Sequence, residues 1–197
     1  KQLLVFHKNV YVNKRMLIDY LVSGLTDHTN ETFFNDILSL PGGHNLTYDL
    51  ESHSYIIHKY YKNNICDEFN NLSEIDSINR YKNEFVRSIN FRLRSDVPVG
   101  TCLSGGIDSS SIAGIAADRY TMESGIQFKG IHAKSSEAKT DESVYAEIVA
   151  QAKNIDLYTI MPTSEEFKEV LDDAFYTQEE PFSSPSVIMQ YFVMKKA

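Results

Sequence analysis

Cysteine is scarce in these 197 residues: there are two, Cys66 and Cys102. Two thiols cannot build a disulfide scaffold, and the low count fits a reducing compartment. Positive charge is also short. Lys and Arg number 19 against 27 Asp and Glu, a formal net charge of -8, which excludes the basic footprint of a nucleic-acid binder. The deficit lies beyond Gly100, where 8 basic residues face 15 acidic ones, against 11 and 12 before it. An anionic ligand must therefore be held by local groups and a metal ion, not by a general positive field. No apolar run reaches the length of a membrane span. Leu3-Leu4-Val5-Phe6, cut short by His7 and Lys8, is too brief for a signal peptide. The histidines at 7, 28, 44, 53, 58 and 132 lack metal-ligand spacing, so no structural zinc is expected. Nor is there an internal repeat. A cytoplasmic enzyme or binding module is the expectation. Lys1 stands where a start Met would, and the apolar stretch 187–197 stops without a helix stop signal. Both ends are expected to be cut boundaries.

Hydrophobic residues make up 42%, enough for a packed core. In residues 14–23, Met16, Leu17, Tyr20 and Leu21 have helical spacing, and Gly24 is a stop signal. Pro41-Gly42-Gly43 marks a turn, and residues 45–50 and 55–61 alternate as two strands of a hairpin around the polar 51–54. Residues 62–71, polar and rich in Asn, read as a linker. This divides the chain into 1–61, the linker 62–71, and 72–197.

Beyond the linker, Ser73 and Asp76 have capping-box spacing, opening a helix with Ile75, Ile78, Phe85, Ile89 and Leu93 as its stripe. Arg92 and Arg94 fall at its end, where cations are favoured and a solvated role suffices. Strand and helix then alternate. Strands are expected at 99–103, 128–133 and 155–160, and helices at 109–120 and 141–153, the latter with Thr140 as N-cap. Thr163 and Glu166 make another capping box, opening one helix through Phe167, Val170, Leu171 and Ala174. Pro185 suits the first position of a final helix, apolar nearly all round and so expected to be buried. The pattern is that of an α/β fold with a doubly wound parallel sheet.

The chemistry concentrates in Ser104-Gly105-Gly106-Ile107-Asp108-Ser109-Ser110, between the first of these strands and its helix. In an open parallel sheet the ligand crevice lies at the carboxyl ends of the strands. Gly105 and Gly106 let the backbone turn and approach an anion without a Cβ in the way. The helix start offers unpaired N–H groups, and Ser104, Ser109 and Ser110 offer hydroxyl donors. Asp108 would repel a bare phosphate and makes sense with a divalent cation between the two. The loop lacks the Lys of the Walker type, so neutralisation falls to Mg2+ and to side chains elsewhere. This suits an enzyme that releases intact pyrophosphate. A tight turn with a helix-start charge is the plainer alternative, and the full pattern between strand and helix outweighs it. Asp141 and Glu142 admit both a helix-dipole reading and a substrate-facing one. So do Glu179 and Glu180, which follow a helix on the side of the strands' carboxyl ends.

Here the sequence resembles the glutamine-dependent asparagine synthetase family. The likeness extends from Arg92-Leu93-Arg94-Ser95-Asp96-Val97-Pro98-Val99-Gly100 through Leu103 to Ser110. It includes Glu31-Thr32-Phe33-Phe34 and Leu40-Pro41-Gly42-Gly43-His44, similar to the close of that family's N-terminal glutaminase domain. Glu179-Glu180-Pro181-Phe182-Ser183-Ser184-Pro185-Ser186 is similar to the stretch ahead of its second pyrophosphate motif. The resemblance implies an adenine nucleotide alpha-hydrolase-like sheet domain preceded by the α+β remnant of an N-terminal nucleophile glutaminase. It also implies a reaction: aspartate attacks the α-phosphorus of MgATP, and ammonia cut from glutamine displaces AMP. By position, Ser104, Gly105, Gly106, Asp108, Ser109 and Ser110 would bind pyrophosphate, with Asp108 also on Mg2+. Leu103 would contact the nucleoside and the Ala133 backbone the adenine, His132 being the less certain choice. No catalytic residue is assigned. ATP, aspartate and glutamine-derived ammonia are the implied small-molecule partners, with no nucleic acid and no membrane; a homodimer is left open.

Departures from the family pattern limit this. Its glutaminase uses an N-terminal cysteine, and this chain begins with Lys1. Cys102, in a strand, is expected to be a buried structural residue, and Cys66 falls in the linker. Pro41-Gly42-Gly43 replaces the commoner Pro-Pro-Gly. The second acidic motif and a later catalytic lysine would follow Ala197, so the 197-residue chain alone is expected to be inactive. Two alternatives stay open: a related amidotransferase or cyclising ligase that adenylates another carboxylate, and a non-catalytic nucleotide-binding module.

Overall fold

The computed structural model describes residues 2–6, 9–64, 69, 71–135 and 141–197. The linker positions 65–68 and 70, with Cys66, and the Thr140 N-cap lie outside them. The chain divides into two compact units, Lys1–Asn70 with Gln178–Ser183, and Asn71–Thr177 with Ser184–Ala197.

In the first unit, helix α1 (Lys14–Ser23) has the bounds its sequence implies. The Asn13 side chain accepts from the N–H groups of Arg15 and Met16, and Gly24 closes the helix at φ 68°. Strands β1 (His44–Asp49) and β2 (Ser54–Lys59) form the expected antiparallel hairpin, with Tyr48 opposite Tyr55.

The second unit opens on α2 (Glu74–Arg92), capped by the Ser73 hydroxyl, which accepts from Asp76 N–H. Only the later part of its expected stripe is covered. Ile89 is buried with Phe85 and Leu93 packed beside it, while Ile75 and Ile78 are exposed. At its end Arg92 donates to Ser88, and the Arg94 guanidinium lies 4.9 Å from the Phe91 ring.

Strands β3 (Gly100–Cys102), β4 (Lys129–Ala133) and β5 (Asp156–Ile160) form a parallel sheet in that order. Helix α3 (Ile107–Ser124) joins the first two and α4 (Ser143–Ala152) the last two. Alternate residues of β4 face opposite sides. One side carries the core of Leu103, Ala113, Ala116, Ala117, Phe128, Ala146, Ala150 and Ile155. The alanines let α3 and α4 approach closely. On the other side, α7 (Ser186–Lys196) packs against β4, and Lys129 and Lys196 stand 5.8 and 5.6 Å from the Tyr158 ring. The fold is therefore α/β with a parallel sheet, helices lying on both faces.

Three expectations need correction. The helix opened by the Thr163–Glu166 capping box, which is present, divides into α5 (Ser164–Glu169) and α6 (Leu171–Gln178) at Val170. Asp172 and Asp173 supply the acidic first turn of the new helix. Helix α7 is not buried all round: Ile188 and Val193 are, but Met194 is 53% exposed, because one side alone meets the sheet. Cys102 is exposed rather than buried. β3 ends the strand order at one edge and is three residues long, and Gln190 Nε2 donates to the thiol sulfur at 3.9 Å.

Candidate functional site

The loop 103–109 leaves the carboxyl end of β3. Leu103, 1% exposed, continues the ladder by donating its N–H to Ile131 O. Gly105 then takes φ +92°, in the region that favours glycine. Its Cα faces the first turn of α4 so closely that a Cβ would lie 2.7 Å from Glu142 O and 3.0 Å from Ala146 N. Gly106 is the N-cap of α3, with extended backbone and no side-chain cap, so no side chain takes the first-turn N–H groups of that helix.

The serines lock the loop from within. Ser104 and Ser109 hydroxyls are 2.9 Å apart, Ser109 Oγ donates to Gly106 O at 3.1 Å, and Ser104 Oγ accepts from Gly106 N–H at 3.3 Å. Ser104 N–H reaches Ser109 Oγ at 3.3 Å. The exposed Ser104 hydroxyl and the half-buried Ser109 hydroxyl can trade their mutual bond for bonds to an anion. Asp108 and Ser110 lie differently, lining a groove of about 800 Å3 with Tyr81 and Phe85 of α2. Asp108 is exposed and, among the described residues, makes no ion pair. Ser110 Oγ is buried without a hydrogen-bond partner.

On the neighbouring strand, Ala133 pairs with Ile160, whereas the β3 ladder stops two residues earlier, at Cys102 opposite Ile131. The β3-facing edge of β4 is thus free of strand pairing at Ala133, beside the loop. His132 is 2% exposed and bridges two elements. Its Nδ1 lies 2.8 Å from Leu103 O and its Nε2 2.9 Å from Ser143 Oγ. The Ser143 hydroxyl donates onward to Asp141, whose carboxylate also meets Lys134 at 3.6 Å. The hydroxyl and N–H of Ser143, helped by Lys134 and opposed by desolvation, hold the Asp141 carboxyl below its ordinary range. Asp141 thereby serves the helix start, and Glu142 stands at the N-cap with its carbonyl against Gly105.

Glu179 and Glu180 belong instead to the first unit, where they line a small cleft of about 170 Å3 with Thr32 and Phe33. Burial first, then the charges of Asp27 and Glu179, push the Glu180 carboxyl up. No group of three or more His, Cys, Asp or Glu side chains able to hold a metal occurs among the described residues. No described helix is long and apolar enough to cross a membrane. The buried His132–Ser143 bridge was not foreseen; the sequence signal was a histidine between Ile131 and Ala133 in a strand, with Asp141 two positions before Ser143.

A family profile described as asparagine synthase matches residues 80–197, well over half the chain and all of the loop. The chain belongs to the asparagine synthase family. A putative asparagine synthetase [glutamine-hydrolyzing] 2 of Methanocaldococcus jannaschii is 28% identical over 191 residues, covering 97% of this chain and 36% of that protein. Asparagine synthetase [glutamine-hydrolyzing] 1 of Bacillus subtilis is 33% identical over 114 residues, covering 56% of this chain and 17% of its own length. The chain thus spans about a third or less of those relatives. An NH3-dependent NAD synthetase from Campylobacter jejuni is 20% identical over 60% of this chain and 51% of its own, with a TM-score of 0.39, too loose to add to the fold argument.

Proposed function

We propose that this chain is the ATP-binding part of a glutamine-dependent asparagine synthetase. The observation that carries the reading is the loop 103–109, a glycine-turned cradle with an uncapped helix start, the exposed Ser104 hydroxyl and the half-buried Ser109 hydroxyl, inside the family-matched region. Leu103, Ser104, Gly105, Gly106 and Ser109 bind the nucleotide and pyrophosphate in this reading, and the Ala133 edge receives the adenine; Ser110, with its hydroxyl buried and its N–H bonded to Gly106 O, is not among these donors. Asp108 suits Mg2+: it is exposed and has no ion pair among the described residues. Mg2+ commonly takes one or two carboxylates together with substrate phosphates, so no preformed cluster is required. Bound there, the ion supplies charge neutralisation for the leaving pyrophosphate.

The chain's own groups then act by orientation. Backbone N–H donors at the start of α3 hold the departing phosphates in line, and the negative charge that develops on them falls at the positive end of that helix. The aspartate side-chain carboxylate forms a bond to the α-phosphorus as pyrophosphate leaves. Ammonia from glutamine then displaces AMP to give asparagine. The first unit, in this reading, is the end of the glutaminase domain, joined through residues 62–71. In this reading the enzyme works where ATP, aspartate and glutamine are held together, in the cytoplasm.

The test is pyrophosphate release by the full-length protein with MgATP and a panel of carboxylic acids. Release dependent on aspartate, with asparagine formed from glutamine, is the expected result. Release with another carboxylate alone makes the protein a different amide-forming or cyclising ligase. MgATP binding without release under any acceptor makes it a non-catalytic module. The 197-residue chain by itself is expected to show no turnover.

A further inference from the structure

Two contacts of the loop lead to the first turn of α4. One is the close backbone contact of Gly105 with Glu142 and Ala146. The other runs through a side chain. Leu103 O, the last carbonyl before the loop, faces His132 Nδ1 at 2.8 Å, and a carbonyl can only accept, so Nδ1 carries the proton. The opposite nitrogen meets Ser143 Oγ at 2.9 Å, where it shares that hydroxyl's one proton with the Asp141 carboxylate. His132 and Ser143 are 2% and 3% exposed, so water is poorly placed to substitute for either partner. A buried polar group that loses its partner bears its full desolvation penalty, which makes the bridge costly to break.

We propose that His132 is a positioning residue for the phosphate loop: it fixes the Leu103 carbonyl against Ser143 of α4 and so sets where the loop begins. This rests on the reading of the loop as the MgATP site. At 2% exposed, the imidazole is placed to act through the loop rather than on a ligand directly. It acts through the direction of the Leu103–Ser104 peptide, which orients the Ser104 N–H and hydroxyl that tie to Ser109. An error there propagates into the cradle, while Ala133, on the same strand as His132, keeps its pairing with Ile160. The bridge thereby links the nucleoside end of the crevice to its phosphate end.

The two ring nitrogens can be replaced separately. His132→Asn puts an amide N–H near the place of Nδ1 and keeps the Leu103 bond; His132→Gln puts its amide near Nε2 and keeps the Ser143 bond. In the full-length protein, the dissociation constant for MgATP is measured for both variants alongside their melting temperatures. The expected result is similar melting temperatures, affinity about threefold weaker than wild type for Asn, which releases the helix side, and about tenfold weaker for Gln, which releases the loop side, the size of one lost buried hydrogen bond. Ser143→Ala, which releases the helix side only, is expected to weaken MgATP about threefold and stands in should Gln fail to fold. Equal loss in the Asn and Gln variants, no loss in Gln, or wild-type affinity in Ser143→Ala overturns the assignment and leaves the nucleotide reading intact. Absence of MgATP binding by the wild-type protein overturns both.

Discussion

The hairpin of the first unit and the sheet of the second are both built from alternating sequence, yet they solve the burial problem differently. In β1 and β2 every residue but His44 is exposed, including Tyr55 and Ile56 at 62% and 68%. The buried apolar residues of that unit, among those described, are Met16 and Phe33. The three-stranded sheet has a helix layer on each face and a continuous core from Ile89 to Ile155. A two-stranded hairpin is marginal on its own, whereas a covered sheet is self-sufficient. Alternation thus reports a strand in both cases, but only the strand whose neighbours bury one face acquires rigidity, and the candidate site grows from the rigid one.

That contrast can be broken or sharpened by measurement. The largest effect is expected from Phe128→Ala, which removes a 1% exposed ring from the sheet core. A loss of about 3–5 kcal/mol by denaturant titration is expected, with the β4 and β5 amides losing hydrogen-exchange protection and the hairpin amides, already fast, unchanged. Coordinated loss of protection in the hairpin would show that the two units are not separate in stability. Next comes Gly105→Ala, where the positive φ and the 2.7 Å approach to Glu142 O both oppose a Cβ. The strain is about 1–3 kcal/mol, and MgATP affinity is expected to fall by at least tenfold; calorimetric titration showing wild-type affinity would refute the loop packing. Thr163→Ala removes the N-cap of α5 and is expected to cost about 1 kcal/mol, read as a shift in the urea midpoint.

The smallest effects are electrostatic and differ in sign between the units. Asp141 of the second unit has its folded-state carboxyl held low by Ser143, so its contribution is present above the ordinary carboxylate pKa and is lost as pH falls through the lower folded value. Asp141→Asn should flatten part of the acid limb of stability against pH. Glu180 of the first unit is raised by burial, then by Asp27 and Glu179, so its charge opposes folding near neutrality. Glu180→Gln should raise the melting temperature slightly at neutral pH, with the gain vanishing as pH falls below the ordinary Glu range. A neutral-pH loss in that variant would contradict the assigned cause.

Much of this was legible beforehand because it rests on local chemistry. Gly24 ends α1, Ser73 and Thr163 cap their helices, and the strand–loop–helix order around Gly105 follows from periodicity and glycine placement. What escaped depends on partners distant in sequence. Whether Ile75 or Ile89 is the covered end of the α2 stripe is decided by packing against α3, a separate helix that begins at Ile107. Cys102 looked interior because its strand does, but edge position is a property of the sheet. The break at Val170 carried no Gly or Pro; the paired Asp172 and Asp173 were its only local sign. The His132 bridge joins residues 29 and 11 positions apart, and no spacing rule reaches that far.

The contact of Gly105 with α4 has a consequence for anyone wishing to move this loop. The six residues 104–109 are not a portable cassette. Set on a foreign strand and helix, they would lack the carbonyl of Glu142 and the first turn behind them, and nothing would hold the glycine in its unusual conformation. The smallest transplantable piece runs from Gly100 to Ala152, because the wall that shapes the loop is written some forty residues after it.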